Sequence, residues 1–302
     1  MGGPSSEYEI SVKSGKQVVK NLDTQKYKIL PIILPKEKNS PPLDWINQLI
    51  CFKPDVAFIT MHGYFGEDGK IQGILDWLGI KYTGSNVLSS VIGMNKLIFR
   101  KIISQEGIPH PEYLGLKRNE NQNKIWGKIL PPVVIKPNSS GSSIGVSIIH
   151  RRKELKKALN LAFSFDEQVI IDKYLKGTEV ACGILGNDRP IALPLVEIIP
   201  QKEFFDYEAK YNSQKSEEII PARISSELTR KIQNLAIKIY KLIGCRGFGR
   251  VDMIISENKP YVLEINTIPG LTPVSLVPKE AAAAGISYSQ LLDRLINLAL
   301  RG

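Results

Sequence analysis

Four side chains near the C-terminal end carry the densest chemistry of the chain: Arg250, Asp252, Glu264 and Asn266. They lie in two β-rich runs, 249–256 and 260–266, which flank the turn-type residues Glu257, Asn258 and Lys259. That pattern predicts an antiparallel hairpin. A turn centred on Asn258 sets Asp252 opposite Glu264 and Arg250 opposite Asn266. Side chains alternate along a strand, so all four leave the same face. The other face carries Val251, Met253 and Ile255 against Tyr261, Leu263 and Ile265, and belongs in a core. Carboxylates directly opposite each other repel, so something has to compensate. Mg²⁺ suits the set, because it takes one or two carboxylates and completes its shell with phosphate oxygens and water. A structural network of Arg, Asp and Glu on a solvated face is the other reading, and the hairpin alone does not separate the two.

A second chemical stretch begins at Lys136, which ends an apolar run starting at Pro131. Behind it comes Pro137-Asn138-Ser139-Ser140-Gly141-Ser142-Ser143-Ile144-Gly145, then another apolar run at 146–149. A loop of small residues between strands forms a flap whose N–H groups can wrap phosphate oxygens. An ordinary Ser/Gly hairpin is the alternative; the strand-end lysine favours nucleotide. No Gly-Lys-Ser/Thr follows and no helix starts there, so this is not a Walker A loop. The opening Gly2-Gly3-Pro4-Ser5-Ser6 reads as a turn into a helix reaching about residue 22, a start that suits anions or a polar ligand. His62-Gly63 and Gly66-Glu67-Asp68-Gly69 link a buried strand to a helix without forming G-x-G-x-x-G, and His62 reads there as a satisfied structural histidine. The polar, aromatic-bearing segment 201–221 is too long for a simple connector, which marks it as functional.

Strands at 27–34, 55–60, 131–136, 146–149, 169–175, 180–185 and 194–199 are predicted to hold these groups. Helices are predicted near 44–51, 71–78, from Met94 to about Gly107, 151–165, 226–243 and from about Ser287. A chain of 302 residues, 43% hydrophobic and 23% charged, fits two or three soluble domains. Boundaries fall near 90 and 176. No run approaches a membrane span. Three scattered cysteines, Cys51, Cys182 and Cys245, fit a reducing compartment without disulfides or a zinc pair. The formal charge of +10 is spread along the chain. Its densest cluster, 151–157, opens an amphipathic helix and reads as a solvated face, which argues against a nucleic-acid role.

Six pieces together resemble the D-alanine–D-alanine ligase family of the ATP-grasp superfamily. They are Gly2 to Glu7, His62-Gly63 with Gly66 to Gly69, Lys136-Pro137 with Gly141-Ser142-Ser143, Phe205 to Tyr211, Gly249 to Asp252, and Glu264 to Thr267 with Pro269-Gly270. They span the chain in the family's order. The resemblance implies an α/β fold, α+β in its ATP-grasp part: a Rossmann-like preATP-grasp domain at 1–90, a central subdomain with the flap at 91–176, and a C-terminal subdomain at 177–302. It implies ATP on Lys96 and Lys136 beneath Ser139 to Ser143, with Asp172, Lys173, Tyr174 and Leu175 at the adenine and Glu179 at the ribose. Asp252, Glu264 and Asn266 would hold two Mg²⁺ or Mn²⁺ ions. Glu7 and His62 would receive the first D-alanine, and Ser275 with the Leu276 N–H the carboxylate of the second. Arg250 and the Gly270 N–H would face the tetrahedral oxyanion, while Tyr211 and Ser142 join Glu7 to close the lid and Lys210 reaches the phosphates.

The implied product is D-alanyl-D-alanine for peptidoglycan precursors, made in the bacterial cytoplasm by a homodimer, with no nucleic-acid or membrane partner. The Glu208-Ala209-Lys210-Tyr211 loop favours an amine acceptor over D-lactate. Three departures stand out: family members carry a strand before Gly2, Tyr8 replaces the usual arginine, and Asn95 the usual aspartate. An upstream start codon is the expectation from the first. A D-alanine–D-lactate ligase, another ATP-grasp carboxylate–amine ligase and a truncated ATP-binding paralogue are the alternatives.

Overall fold

The computed structural model describes residues 1–37, 43–120, 125, 128–200 and 216–301. Helices α1 (Tyr8–Asn21), α2 (Leu43–Phe52) and α3 (Lys70–Trp77) make the N-terminal part. The strands expected at 27–34 and 55–60 are extended segments without a ladder. Each makes one isolated parallel bridge, Gly2 with Leu34 and Ala57 with Tyr82. A largely apolar cavity of about 590 Å³ is lined by both segments. An apolar run needs a hydrogen-bonding neighbour to become a strand, and these two do not pair with each other.

The expected helix from Met94 is broken at Asn95. Helix α4 (Val87–Met94) ends there, and the Asn95 side chain caps α5 (Lys96–Gln105) by accepting the Ile98 N–H at 3.0 Å. Asparagine and aspartate cap equally well, so the departure at this position keeps the helix start and its Lys96. Strands β1 (Tyr113–Lys117), β2 (Val133–Pro137), β3 (Ser147–Ile149) and β4 (Gln168–Lys173) form an antiparallel sheet in the order β1-β4-β2-β3. Helix α6 (Leu155–Phe163) buries Leu155 and Leu159 against Val133, Ile135 and Ile171 of that sheet. The strand β1 was not foreseen.

A second antiparallel sheet holds β5 (Thr178–Leu185), β6 (Ile191–Ala192), β7 (Val196–Pro200), β8 (Ser216–Ile219), β9 (Phe248–Ser256) and β10 (Lys259–Asn266). Its path runs β10-β9-β5-β7-β8, with β6 on β5. Helix α7 (Ser226–Ile243), capped by Ser225 and stopped by Gly244 in the left-handed region, packs Ile232, Ala236 and Ile239 beneath it. Helices α8 (Leu276–Ala283) and α9 (Tyr288–Arg301) put Val277, Leu291 and Leu292 into one core with Val18, Leu34 and Ile59. The C-terminal helices therefore complete the N-terminal core. No helix among the described residues is long and apolar enough to cross a membrane.

The β9/β10 hairpin forms with two corrections. Its turn has two residues, Glu257 and Asn258, both at positive φ, so Ser256 pairs with Lys259. A bulge between Val262 and Glu264 then shifts the register by one, and Asp252 still meets Glu264, as Arg250 meets Asn266. Because of that bulge, Val262 rather than Leu263 joins Val251 and Met253 in the core. A bulge leaves backbone groups without ladder partners. Here the Val262 N–H donates to Pro109 O at 2.9 Å. Arg100, fully buried on α5, donates to Val262 O at 3.0 Å and Leu263 O at 3.1 Å, and reaches Asp172 Oδ2 at 3.3 Å. One guanidinium thus ties α5 and β4 to the bulge. Arg100→Met should destabilise the fold by about 2–5 kcal/mol, because it leaves the Val262 and Leu263 carbonyls without their donor and takes from buried Asp172 one of its two cations, Lys136 remaining at 2.8 Å. Urea unfolding checks this: the midpoint should fall sharply, and partly recover in Arg100→Lys.

Candidate active site

Two adjoining cavities lie between the sheets, and both are lined by Lys96, Ser140, Gly141, Glu179, Asp252 and Glu264. The first, about 220 Å³, has apolar walls from Val134, Val146, Ile148, Ile254 and Leu263. Lys136, Ser143 and the run Asp172, Lys173, Tyr174, Leu175 complete it. Leu263 is expected on the core face from strand alternation, whereas Ile254 shares the side of Arg250 and Asp252. The bulge turns Leu263 toward this cavity, and no local sequence signal marks a bulge there.

Charges in this cavity are anchored in pairs. Lys136 Nζ sits 2.8 Å from Asp172 Oδ2, so Asp172, which is buried, holds the lysine as well as lining the cavity. Lys96 is buried at the start of α5; its Nζ donates to Ser140 O at 2.7 Å and lies 3.5 Å from Glu264 Oε2. That lysine thus ties the flap to the metal-type face. Ser139 is not among the lining residues; its N–H donates to Asp166 Oδ2 at 2.7 Å, and Ser140 stands in the cavity instead.

The second cavity, about 90 Å³, is polar, and Glu7, His62, Ser142, Arg250, Asn266, Gly270, Ser275 and Leu276 line it. Glu7 is buried where α1 begins, and its N–H donates to Ser5 Oγ at 3.1 Å. The Ser142 hydroxyl donates to Glu7 Oε1. A Cβ at Gly141 would stand 2.7 Å from Glu7 Oε2, and one at Gly63 2.6 Å; glycine at both positions lets two loops close on that carboxylate. Ser142 and Ser143 adopt φ of 50° and 57°, a conformation that costs a non-glycine residue about 1–2 kcal/mol. The bond to Glu7 helps hold the flap in it.

His62 is buried with both ring nitrogens engaged. A carbonyl only accepts, so Nδ1 carries the proton given to Ile268 O at 3.0 Å, and Nε2 accepts from Ser14 Oγ at 3.0 Å. The structural role read from its loop is present, and the imidazole also faces the cavity. Gly270 has room for no side chain: a Cβ there would be 2.7 Å from Ser275 Oγ. Ser275 precedes α8, whose first-turn N–H groups suit a carboxylate.

On the hairpin, Arg250 grips Asp252 with two bonds, Nε to Oδ1 and Nη2 to Oδ2, both 2.6 Å. Burial works against the guanidinium charge, but the Asp252 carboxylate outweighs it and holds Arg250 well above its usual range. Asn266 Oδ1 accepts the Ile268 N–H at 3.1 Å. Among the described residues no cluster of three His, Cys, Asp or Glu side chains has metal-binding spacing. The donors that do converge, two carboxylates and an amide oxygen, are the hard oxygen set that Mg²⁺ or Mn²⁺ prefers. Lys210 and Tyr211 lie outside the described residues. Sequence reasoning missed Glu67, 3.6 Å from His62, and Glu280 behind Arg250.

Comparison with known proteins agrees with this geometry. The family profile "D-ala D-ala ligase C-terminus" matches residues 102–297, and "D-ala D-ala ligase N-terminus" matches 40–85. A D-alanine--D-alanine ligase of Syntrophobacter fumaroxidans is 46% identical over 99% of this chain and 96% of its own length. The crystal structure of the Bacillus anthracis D-alanine--D-alanine ligase complexed with ATP superposes with a TM-score of 0.86 at 40% identity, covering 100% of this chain and 96% of that one. The VanG D-Ala:D-Ser ligase of Enterococcus faecalis gives 0.85 at 34% identity, over 99% and 97% of the two chains. The chain belongs to the D-alanine–D-alanine ligase family of the ATP-grasp superfamily.

Proposed function

We propose that the two cavities divide one reaction between them, with nucleotide in the apolar-walled one and two D-alanines in the polar one. The chain is an ATP-dependent ligase that forms D-alanyl-D-alanine, the dipeptide of peptidoglycan precursors. What supports this assignment of the site is that Lys96, Ser140, Gly141, Glu179, Asp252 and Glu264 line both cavities. Phosphoryl transfer needs the donor and acceptor on either side of such a charged junction.

In this reading the first D-alanine lies with its ammonium at Glu7, near His62, and its carboxylate facing the junction. That carboxylate attacks the γ-phosphorus of ATP, giving an acyl phosphate and ADP. Lys96 and Lys136 offset the anionic charge that develops, and the flap residues Ser140 to Ser143 cover the phosphates. Tyr174 and Leu175, beside Asp172 and Lys173, border the adenine, and Glu179 meets the ribose. Asp252, Glu264 and Asn266 would hold two divalent cations, which when bound would neutralise charge on the triphosphate. The amine of the second D-alanine, its carboxylate held by Ser275 and the Leu276 N–H, then attacks the acyl carbon. Arg250 and the Gly270 N–H stabilise the oxyanion, and its collapse expels phosphate. Ser142 closes over Glu7 and helps exclude water, which would otherwise hydrolyse the acyl phosphate.

Glu264→Gln is the cleaner test of the cation face, because Asp252→Asn would leave buried Arg250 without its anion. ADP release with D-alanine should fall on the order of 10²–10³-fold, with the Mg²⁺ requirement moved to higher concentration. Unchanged turnover would refute the assignment. Ser142→Ala removes a hydrogen bond to a charged group worth about 1.5–3 kcal/mol. It should therefore lower kcat/KM for D-alanine by roughly 10–100-fold, while ATP binding, read by thermal shift, stays close to wild type.

A further inference from the structure

Glu280 is a fully buried carboxyl that the reaction as derived does not use. It sits on the inner side of α8, the helix whose first turn borders the acceptor end of the polar cavity. Its Oε1 accepts the Gly183 N–H at 2.7 Å, while Oε2 has no hydrogen-bond partner among the described residues. Gly183 is the ladder partner of Arg250 across β5 and β9. A Cβ at Gly183 would stand 2.6 Å from Oε2, so only glycine leaves room for this carboxyl above the strand. The space that a side chain opposite Arg250 would fill is taken by Glu280, which sets this carboxyl on the guanidinium's side of the sheet.

Arg250 otherwise has both of its described bonds on Asp252. Those are the oxygens that the proposed cation site asks for. An arginine that loses its only carboxylate inside a protein would swing or pay a large desolvation penalty. We infer that Glu280 is a positioning residue for Arg250, a second acceptor that keeps the guanidinium aimed at the oxyanion when Asp252 turns to metal. This rests on the role given to Arg250 above. Burial, against the pull of the Gly183 N–H and Arg250, lifts the Glu280 carboxyl to about 8. A folded-state value above the unfolded one means that this group's stabilisation is lost as pH rises through about 8.

The test is a double-mutant cycle in kcat, with Glu280→Gln and Arg250→Lys made singly and together. The glutamine keeps its size and can accept the Gly183 N–H, but presents N–H donors where Oε2 stood. In the full enzyme with Mg²⁺, ATP and D-alanine, Glu280→Gln should lower kcat by about tenfold, with KM for ATP and D-alanine within about twofold. Its melting temperature at pH 8 should equal or exceed wild type. In the Arg250→Lys background the same change should have no further effect on kcat. Wild-type kcat in Glu280→Gln, or an equal loss in both backgrounds, overturns the positioning role. Wild-type kcat in Arg250→Lys would instead overturn the oxyanion role of Arg250, so the two failures are distinguishable.

Discussion

Two carboxylates set directly opposite each other across a β-ladder repel, and this repulsion is the constraint around which the protein is arranged. Asp252 and Glu264 are such a pair. In the described structure each already leans on a cation of the chain: Asp252 on Arg250 with two bonds of 2.6 Å, Glu264 on Lys96 at 3.5 Å. Arg250 comes from the same strand, while Lys96 comes from the start of α5 and also ties down the flap. On the proposed reading, this repulsion is what would make the face receptive to divalent cations, and Arg250 and Lys96 are the groups that the proposed reaction uses nearby.

The surrounding fold supports that face through a few long-range polar contacts. Arg100 joins α5, β4 and the bulge of β10, and Asp172 passes the same connection on to Lys136. Glu7, at the start of α1, meets Ser142 of the flap. The N-terminal core is finished by α8 and α9, and α8 carries both Leu276, which lines the polar cavity, and Glu280. Disturbing any of these should be felt at the junction of the cavities rather than only locally.

The sequence made the active face legible because strand alternation is a strict rule: Arg250, Asp252, Glu264 and Asn266 had to share a side. It did so through two errors that cancel. The turn holds two residues rather than three, and the bulge restores the register that the wrong turn assumed. Tyr261 and Leu263, between turn and bulge, are therefore expected in the core, where Val262 stands instead. A bulge is fixed by tertiary partners, here Pro109 and Arg100, which lie far away in the chain. Arg100 and Glu280 were missed for a related reason. Each is a charge within an apolar helix stripe, beside Phe99 and Ile103 or Val277 and Ala281, and the stripe alone does not name the partner. The runs at 27–34 and 55–60 have strand composition, but composition does not supply a neighbouring backbone.

The most direct measurement is anomalous scattering from crystals grown with Mn²⁺ and a non-hydrolysable ATP analogue. Manganese peaks at coordination distance from Asp252, Glu264 and Asn266, with the triphosphate against Lys96 and Lys136, are the predicted result. Peaks confined to other positions, with Asp252 still held by both bonds to Arg250, would contradict it.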